Sequence, residues 1–239
     1  SISCAASAEE ATTGYNTIAV DERDPGLESV PAQYDPGKQK EKVGEPEEPE
    51  IGLPPVTCYW ITIQRKSPKV PLGLTLDPAG IEAIYVCSVQ SDSAPVVEAN
   101  AQNSPAEQLE AGDFVWSVNG VQDDLAAMMK EVQQSTTLNL GMRKPLEFSI
   151  SVKRNGQSIG CAITYDTTTG ISLVIEHVNE GPVKAWNTLH HDRKVIVGDR
   201  VTAVNGHHGT SVQLLEQIRA SDDLRLTLVR PAKGTFLMT

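Results

Sequence analysis

No apolar run in the 239 residues approaches membrane-spanning length; residues 171–175, among the longest, fall far short of the roughly 20 a bilayer-crossing helix needs. Positive charge is scarce too: 20 Lys and Arg stand against 31 Asp and Glu, for a formal charge of −11. That balance argues against nucleic-acid binding, whose affinity comes from Lys and Arg displacing phosphate counterions. Cysteine is limited to Cys4, Cys58, Cys87 and Cys161, with no C-x-x-C pair and no zinc-ligand spacing. Three of the four sit in strand-like runs, where a free Cys acts as a small buried hydrophobe, so reduced thiols are expected. His177 stands alone, and His190-His191 and His207-His208 are adjacent pairs that rarely converge on one ion. Neither an H-E-x-x-H helix nor a phosphate-cradling glycine loop is present. Asp123-Asp124 and Asp222-Asp223 border expected helices or turns, where capping is the default role. No catalytic residue, metal or cofactor is expected, and the chain reads as a non-enzyme.

What is present begins with a biased tail. Residues 1–56 carry twelve acidic side chains against four basic ones, −8 of the net −11, and the rest of the chain is nearly balanced. Pro25, Pro31, Pro36, Pro46, Pro49, Pro54 and Pro55 punctuate this stretch, with Tyr15 and Tyr34 its only aromatics. Such a segment cannot bury enough apolar surface to offset its ordering entropy and is expected to be disordered on its own. The Glu-Pro-Glu-Glu-Pro-Glu run from Glu45 to Glu50 favours extended polyproline-like backbone. An acidic tail either solvates the protein or lies along a basic surface; if held in place, it needs its own domains or another chain to hold it.

From residue 57 the texture turns β-rich. Tyr59-Trp60-Ile61-Thr62-Ile63 reads as a strand, Pro71-Leu72-Gly73-Leu74-Thr75-Leu76 as a second entered through glycine, and residues 81–89 as a third. A short helix is expected over 94–102. A turn and strand follow, from Gly112-Asp113 to the tight turn at Asn119-Gly120. Asp124 can cap a helix bearing Leu125, Met128, Met129 and Val132, and residues 137–142 close the unit as a strand. The order then repeats: strand 146–153, the Ile159-Gly160-Cys161 element, strand 171–178, helix 182–187, Gly198-Asp199 to Asn205-Gly206, helix 211–220 and strand 224–229. Gly112 and Gly198, Gly120 and Gly206, and Pro145 and Pro231 are each 86 positions apart, a duplication signal. Arg143-Lys144-Pro145 leaves almost no linker, so the repeats are expected to touch.

The order strand, apolar-Gly-apolar, strand, strand, short helix, Gly-Asp-x-Val-x-x-Val-Asn-Gly, helix, strand resembles the PDZ family, twice over. The resemblance implies a mainly β fold with short helices: two PDZ-like, partly open β-barrels in tandem after an extended, irregular tail. The expected bounds are 1–56 for the tail, 57–145 and 146–231 for the two PDZ-like domains, and 232–239 for a C-terminal extension. In that family a peptide C-terminus adds as a strand beside the second strand and against the second helix, its carboxylate held by backbone N–H groups. The resemblance places the carboxylate loops at Leu72, Gly73 and Leu74 and at Ile159, Gly160 and Cys161. It places the helix-start position at Gln122 and His208. A His there reads a Ser or Thr of the ligand; Gln122 does not fit that role and His208 does. However, Thr210 with Gln213 looks like a capping box, which leaves His208 in the loop before the helix. Both loops depart from the family's Gly-Leu-Gly-Phe form, and Pro71 lacks a donor N–H.

The wording of the second repeat, Gly181-Pro182-Val183-Lys184-Ala185-Trp186-Asn187, is similar to PDZ-like repeats of unicellular algal proteins. With a start at Ser1, compatible with a cleaved targeting peptide and equally with a sequence trimmed at its N-terminus, it implies a plastid address peripheral to the thylakoid membrane. The function expected is a non-catalytic scaffolding subunit that binds protein subunits of a larger complex through its tail and PDZ-like surfaces. The alternative is an adaptor that captures a partner's C-terminal peptide.

Overall fold

Strict alternation sets the faces of the first long strand. In β2 (Cys58–Gln64), Tyr59, Ile61 and Ile63 are buried while Trp60, Thr62 and Gln64 face solvent. The structure, a computed structural model, describes residues 15–19, 58–92, 94–168 and 170–231. The expectations for Cys4, the Glu45 to Glu50 run and residues 232–239 lie outside these.

The described chain is mainly β, with two open sheets and four short helices. The first sheet joins β2 to β3 (Leu74–Asp77), β4 (Ile84–Val89), β5 (Phe114–Val118) and β6 (Thr137–Arg143), in the order β2-β6-β5-β4-β3. Helices α1 (Pro95–Ala101) and α2 (Leu125–Gln134) accompany it. The second sheet holds β7 (Pro145–Lys153), β8 (Cys161–Asp166), β9 (Leu173–Val178), β10 (Arg200–Val204) and β11 (Asp223–Pro231), with α3 (Pro182–Leu189) and α4 (Ser211–Ala220). Its order is β1-β8-β9-β10-β11-β7, where β1 (Tyr15–Ala19) comes from the tail. Within the tail, Tyr15–Ala19 is held by the chain's own second sheet, one of the two holders the sequence allowed; the rest of the tail lies outside the described residues.

Each sheet wraps a separate core. Ile61, Ile63, Val115, Val118, Met128 and Leu140 belong to the first; Ile163, Ile175, Val201, Val204, Leu214 and Leu226 belong to the second. The Asn-Gly turns repeat in detail. Asn119 and Gly120 both have positive φ, as do Asn205 and Gly206, which is what a two-residue hairpin needs. The Asn119 carboxamide accepts from Asn139 N–H at 2.8 Å and the Asn205 carboxamide from Arg225 N–H at 2.7 Å, tying each turn to the closing strand. Another paired device escaped sequence reasoning. Arg65 donates to the carbonyls of Val132, Gln133 and Ser135, and Arg154 to those of Ile218, Arg219 and Ser221, so each closes the C-terminus of α2 or α4.

The two sheets meet with only Lys144 between β6 and β7. Ala83, Tyr85 and Phe114 from the first side pack with Val229 from the second. Arg200, 1% exposed, reaches from β10 to Asp77 at the end of β3.

Candidate strand-binding grooves

Gly160 shapes the turn into β8. Its φ is +77°, and a Cβ there would lie 2.6 Å from the Glu180 carbonyl oxygen, so only glycine fits. The turn is pinned from below, with Ile159 C=O accepting from Val183 N–H and Gly160 C=O from Asn179 N–H. Its N–H side is partly spent: Gly160 N–H donates to Ser158 Oγ at 3.1 Å, taking a donor that the PDZ resemblance assigns to a ligand carboxylate. The first repeat matches this pinning, with Leu72 C=O bonded to Val96 N–H and Gly73 C=O to Gln90 N–H. There Pro71 is the residue without a donor. Cys161 opens β8 as a buried thiol; burial pushes it up to about 12 and pushes Cys87 up to about 11, so both act as small hydrophobes.

Gly156-Gln157-Ser158-Ile159-Gly160 spells G-x-S-x-G, a pattern sequence reasoning overlooked. It joins β7 to β8, strand to strand, whereas a nucleophile elbow turns from a strand into a helix. Ser158 serves the turn. Among the described residues no group of three or more His, Cys, Asp or Glu could hold a metal ion.

The second groove carries a strand. β1 pairs antiparallel with β8 in continuous register, from Tyr15 opposite Asp166 to Ala19 opposite Ala162, and so runs toward the Gly160 turn. Ile18 packs against the second core. Thr17 Oγ1 lies 2.9 Å from Thr164 Oγ1. The Tyr15 hydroxyl donates to Asp77 Oδ1 at 3.0 Å, and burial together with that carboxylate pushes its pKa well above the ordinary tyrosine value. Tyr15 and Thr17 line a cleft of about 590 Å³ shared with residues 78–81 and with Val174 and His177.

The first groove is open at its edge. β3 is the outermost strand of its sheet, with no partner on its far side among the described residues. Leu74 and Leu76 of β3 and Leu125 and Met129 of α2 are half-buried against the first core.

The two helix-start candidates both miss their helices. Gln122 is exposed, two residues before Asp124, whose carboxylate caps α2 by accepting from Ala127 N–H. His208 is exposed, two residues before Thr210, and its Nδ1 lies 3.1 Å from the Thr202 carbonyl. Thr210 and Gln213 form the capping box that the sequence suggested.

The duplicated Gly-Asp signature serves the fold. Asp113 accepts from Glu110 N–H at 2.8 Å, Tyr59 OH at 2.7 Å and Lys144 Nζ at 3.1 Å. Asp199 accepts from Ile196 N–H and Arg230 Nη2, both at 2.8 Å. Lys144 and Arg230 are themselves 86 positions apart, directly before Pro145 and Pro231, so the pair was duplicated whole. Burial pushes the Asp113 carboxyl up. It pushes Asp199 up to about 6, against the opposing pull of Ile196 N–H and Arg230. A carboxyl raised on folding favours the protonated folded form. Its contribution is complete below about pH 4, the usual Asp value, and is lost as pH rises through about 6. Relative to Asp199→Asn, the wild type should therefore gain stability as pH falls from 7 to 4, by up to about 1.4 kcal/mol per unit across that window. Urea unfolding of both proteins at each pH checks this; a flat difference would mean that Arg230 keeps the carboxylate ionised throughout.

No family model and no curated protein matches the chain. Among solved structures it is similar to INAD PDZ45 in complex with NG2 peptide, at 16% identity over 82% of this chain and 98% of that one, with a TM-score of 0.34. It is also similar to INAD PDZ45 in complex with NORPA CC-PBM, at 12% identity over 78% of this chain and 98% of that one, with a TM-score of 0.32. The algal similarity and plastid address gain no support from these comparisons. The fold is read from the chain's own element order, which is PDZ-like in both repeats and mainly β throughout.

Proposed function

We propose that this chain is a non-catalytic protein-interaction adaptor that holds protein partners by strand addition at the β3 and β8 edges. One observation carries the reading: an extended segment lies on β8 in five-residue antiparallel register, directed at the Gly160 turn. An edge that accepts a strand, beside a helix and ending at a glycine turn, has the parts needed for peptide capture.

The finer form, a scaffolding subunit that binds neighbouring subunits through its tail and PDZ-like surfaces, is less favoured because the chain itself holds Tyr15–Ala19 of that tail. Domain bounds of 57–145 and 146–231, with a tail before them, remain part of the proposal. A peptide array carrying both free C-termini and internal sequences, probed with the full chain, tests the adaptor reading. Saturable binders that slow amide exchange in β3 or β8 are expected. An array without any saturable binder would sink the proposal.

A further inference from the structure

We infer that Tyr15–Ala19 is a built-in ligand of the second groove, an internal strand that a partner must displace before it can bind there. The inference rests on the adaptor reading and adds the identity of the resident ligand and the kind of competitor it excludes.

Three features make β1 a ligand in form. Its register on β8 is unbroken over all five residues. Its side chains divide by face: Ile18 packs on the core that includes Ile163, Leu214 and Leu215, while Thr17 meets Thr164 on the β8 strand. Its N-terminal end is fastened outside the groove, by the Tyr15 hydroxyl on Asp77 of the first sheet. Asp77 in turn is held by Arg200, so the strap is tied at the junction of the two repeats.

The groove is also adapted to a strand without a free carboxylate. Ser158 Oγ already occupies the Gly160 N–H, and β1 needs no terminal group because the chain continues from Ala19 toward Cys58. The competitor that fits is therefore an extended internal segment of another protein, with an apolar residue at the Ile18 register and a hydroxyl residue at the Thr17 register.

Five residues do not hold a strand by themselves, but tethering supplies an effective concentration on the order of millimolar. An outside segment sees only the fraction of molecules whose groove is open, and its apparent affinity falls by that fraction. The probe is a fluorescent synthetic peptide of residues 13–21, amidated at its C-terminus, added to the intact chain and to the full-length Thr17→Pro, Ile18→Asp double variant. Both substitutions lie on β1 and leave the two sheets' own strands unchanged. The peptide should bind the variant saturably and at least tenfold more tightly than the intact chain. Equal affinity for both would overturn self-occupancy while leaving the adaptor reading in place. No saturable binding to the variant would overturn the inference too; if the peptide array still returns binders, the adaptor reading survives that result.

Discussion

Replacing Arg200 with alanine is expected to lower the unfolding free energy by about 3–5 kcal/mol, the usual result of breaking a buried ion pair from one side. The guanidinium is 1% exposed. Its Nη1 lies 2.6 Å from Asp77 Oδ2 and 3.0 Å from Ser172 Oγ, its Nη2 donates to the Asp77 carbonyl at 3.3 Å, and its Cζ sits 4.7 Å from the Tyr85 ring centroid. Without it, the partners left to the Asp77 carboxylate among the described residues are the Tyr15 hydroxyl and the Ala79 N–H. The greater part of the loss is the stranded charge, and a second substitution separates the two contributions. Arg200→Met combined with Asp77→Leu should recover most of the stability, since apolar replacement of a buried pair is often near neutral. Guanidinium unfolding of the three proteins measures both effects. A loss below about 1 kcal/mol for Arg200→Ala would mean that water reaches Asp77 and screens it as it does a surface pair.

Phe114→Ala should be comparably damaging and should also change the shape of the transition. Phe114 is 1% exposed, with its ring centroid 5.2 Å from that of Tyr85, and it packs in a cluster closed from the other repeat by Val229. Truncating a buried Phe costs about 3–5 kcal/mol through lost burial and the cavity left behind. Because this cluster joins the two sheets, the cavity opens where they meet. We expect one cooperative unfolding step in the wild type and two resolved steps in the variant, followed by near-ultraviolet circular dichroism and tryptophan fluorescence. A single step displaced to lower denaturant would show that Phe114 stabilises its own unit without coupling the two.

The parts of the fold with local causes were legible. Asn-Gly turns, the Asp124 cap and the Thr210–Gln213 box announce themselves within a few residues, and the helices and strands follow close to their expected bounds. The misses share one physical origin, which is distance along the chain. Tyr15-Asn16-Thr17-Ile18-Ala19 has the β-branched and aromatic content of a strand, but it sits in an acidic, proline-rich context. The Thr164 that meets Thr17 lies 147 residues away. Arg200 reads as an ordinary charged residue until Asp77, 123 residues earlier, is brought beside it. Gln122 and His208 were placed by counting along a family pattern. The caps at Asp124 and Thr210 put both in loops. The G-x-S-x-G string at Ser158 went unread in the sequence, and its strand-to-strand setting shows that it supports a turn.

The strap on β8 has a bearing on solubility. β8 is six residues long and buried at Cys161, Ile163, Thr164 and Asp166, and with β1 removed it presents a row of unpaired backbone donors and acceptors. An exposed edge of that kind templates pairing with another chain, which is how folded β proteins begin to aggregate. β3 is blunted by its length of four residues and by a register break between Thr75 and Leu76. β8 is longer and also carries a register break, between Ala162 and Ile163, yet β1 covers it from Asp166 to Ala162. A proteolytic cut that frees the first nineteen residues would therefore do more than open a groove: it would leave the second sheet with an unpaired, sticky edge.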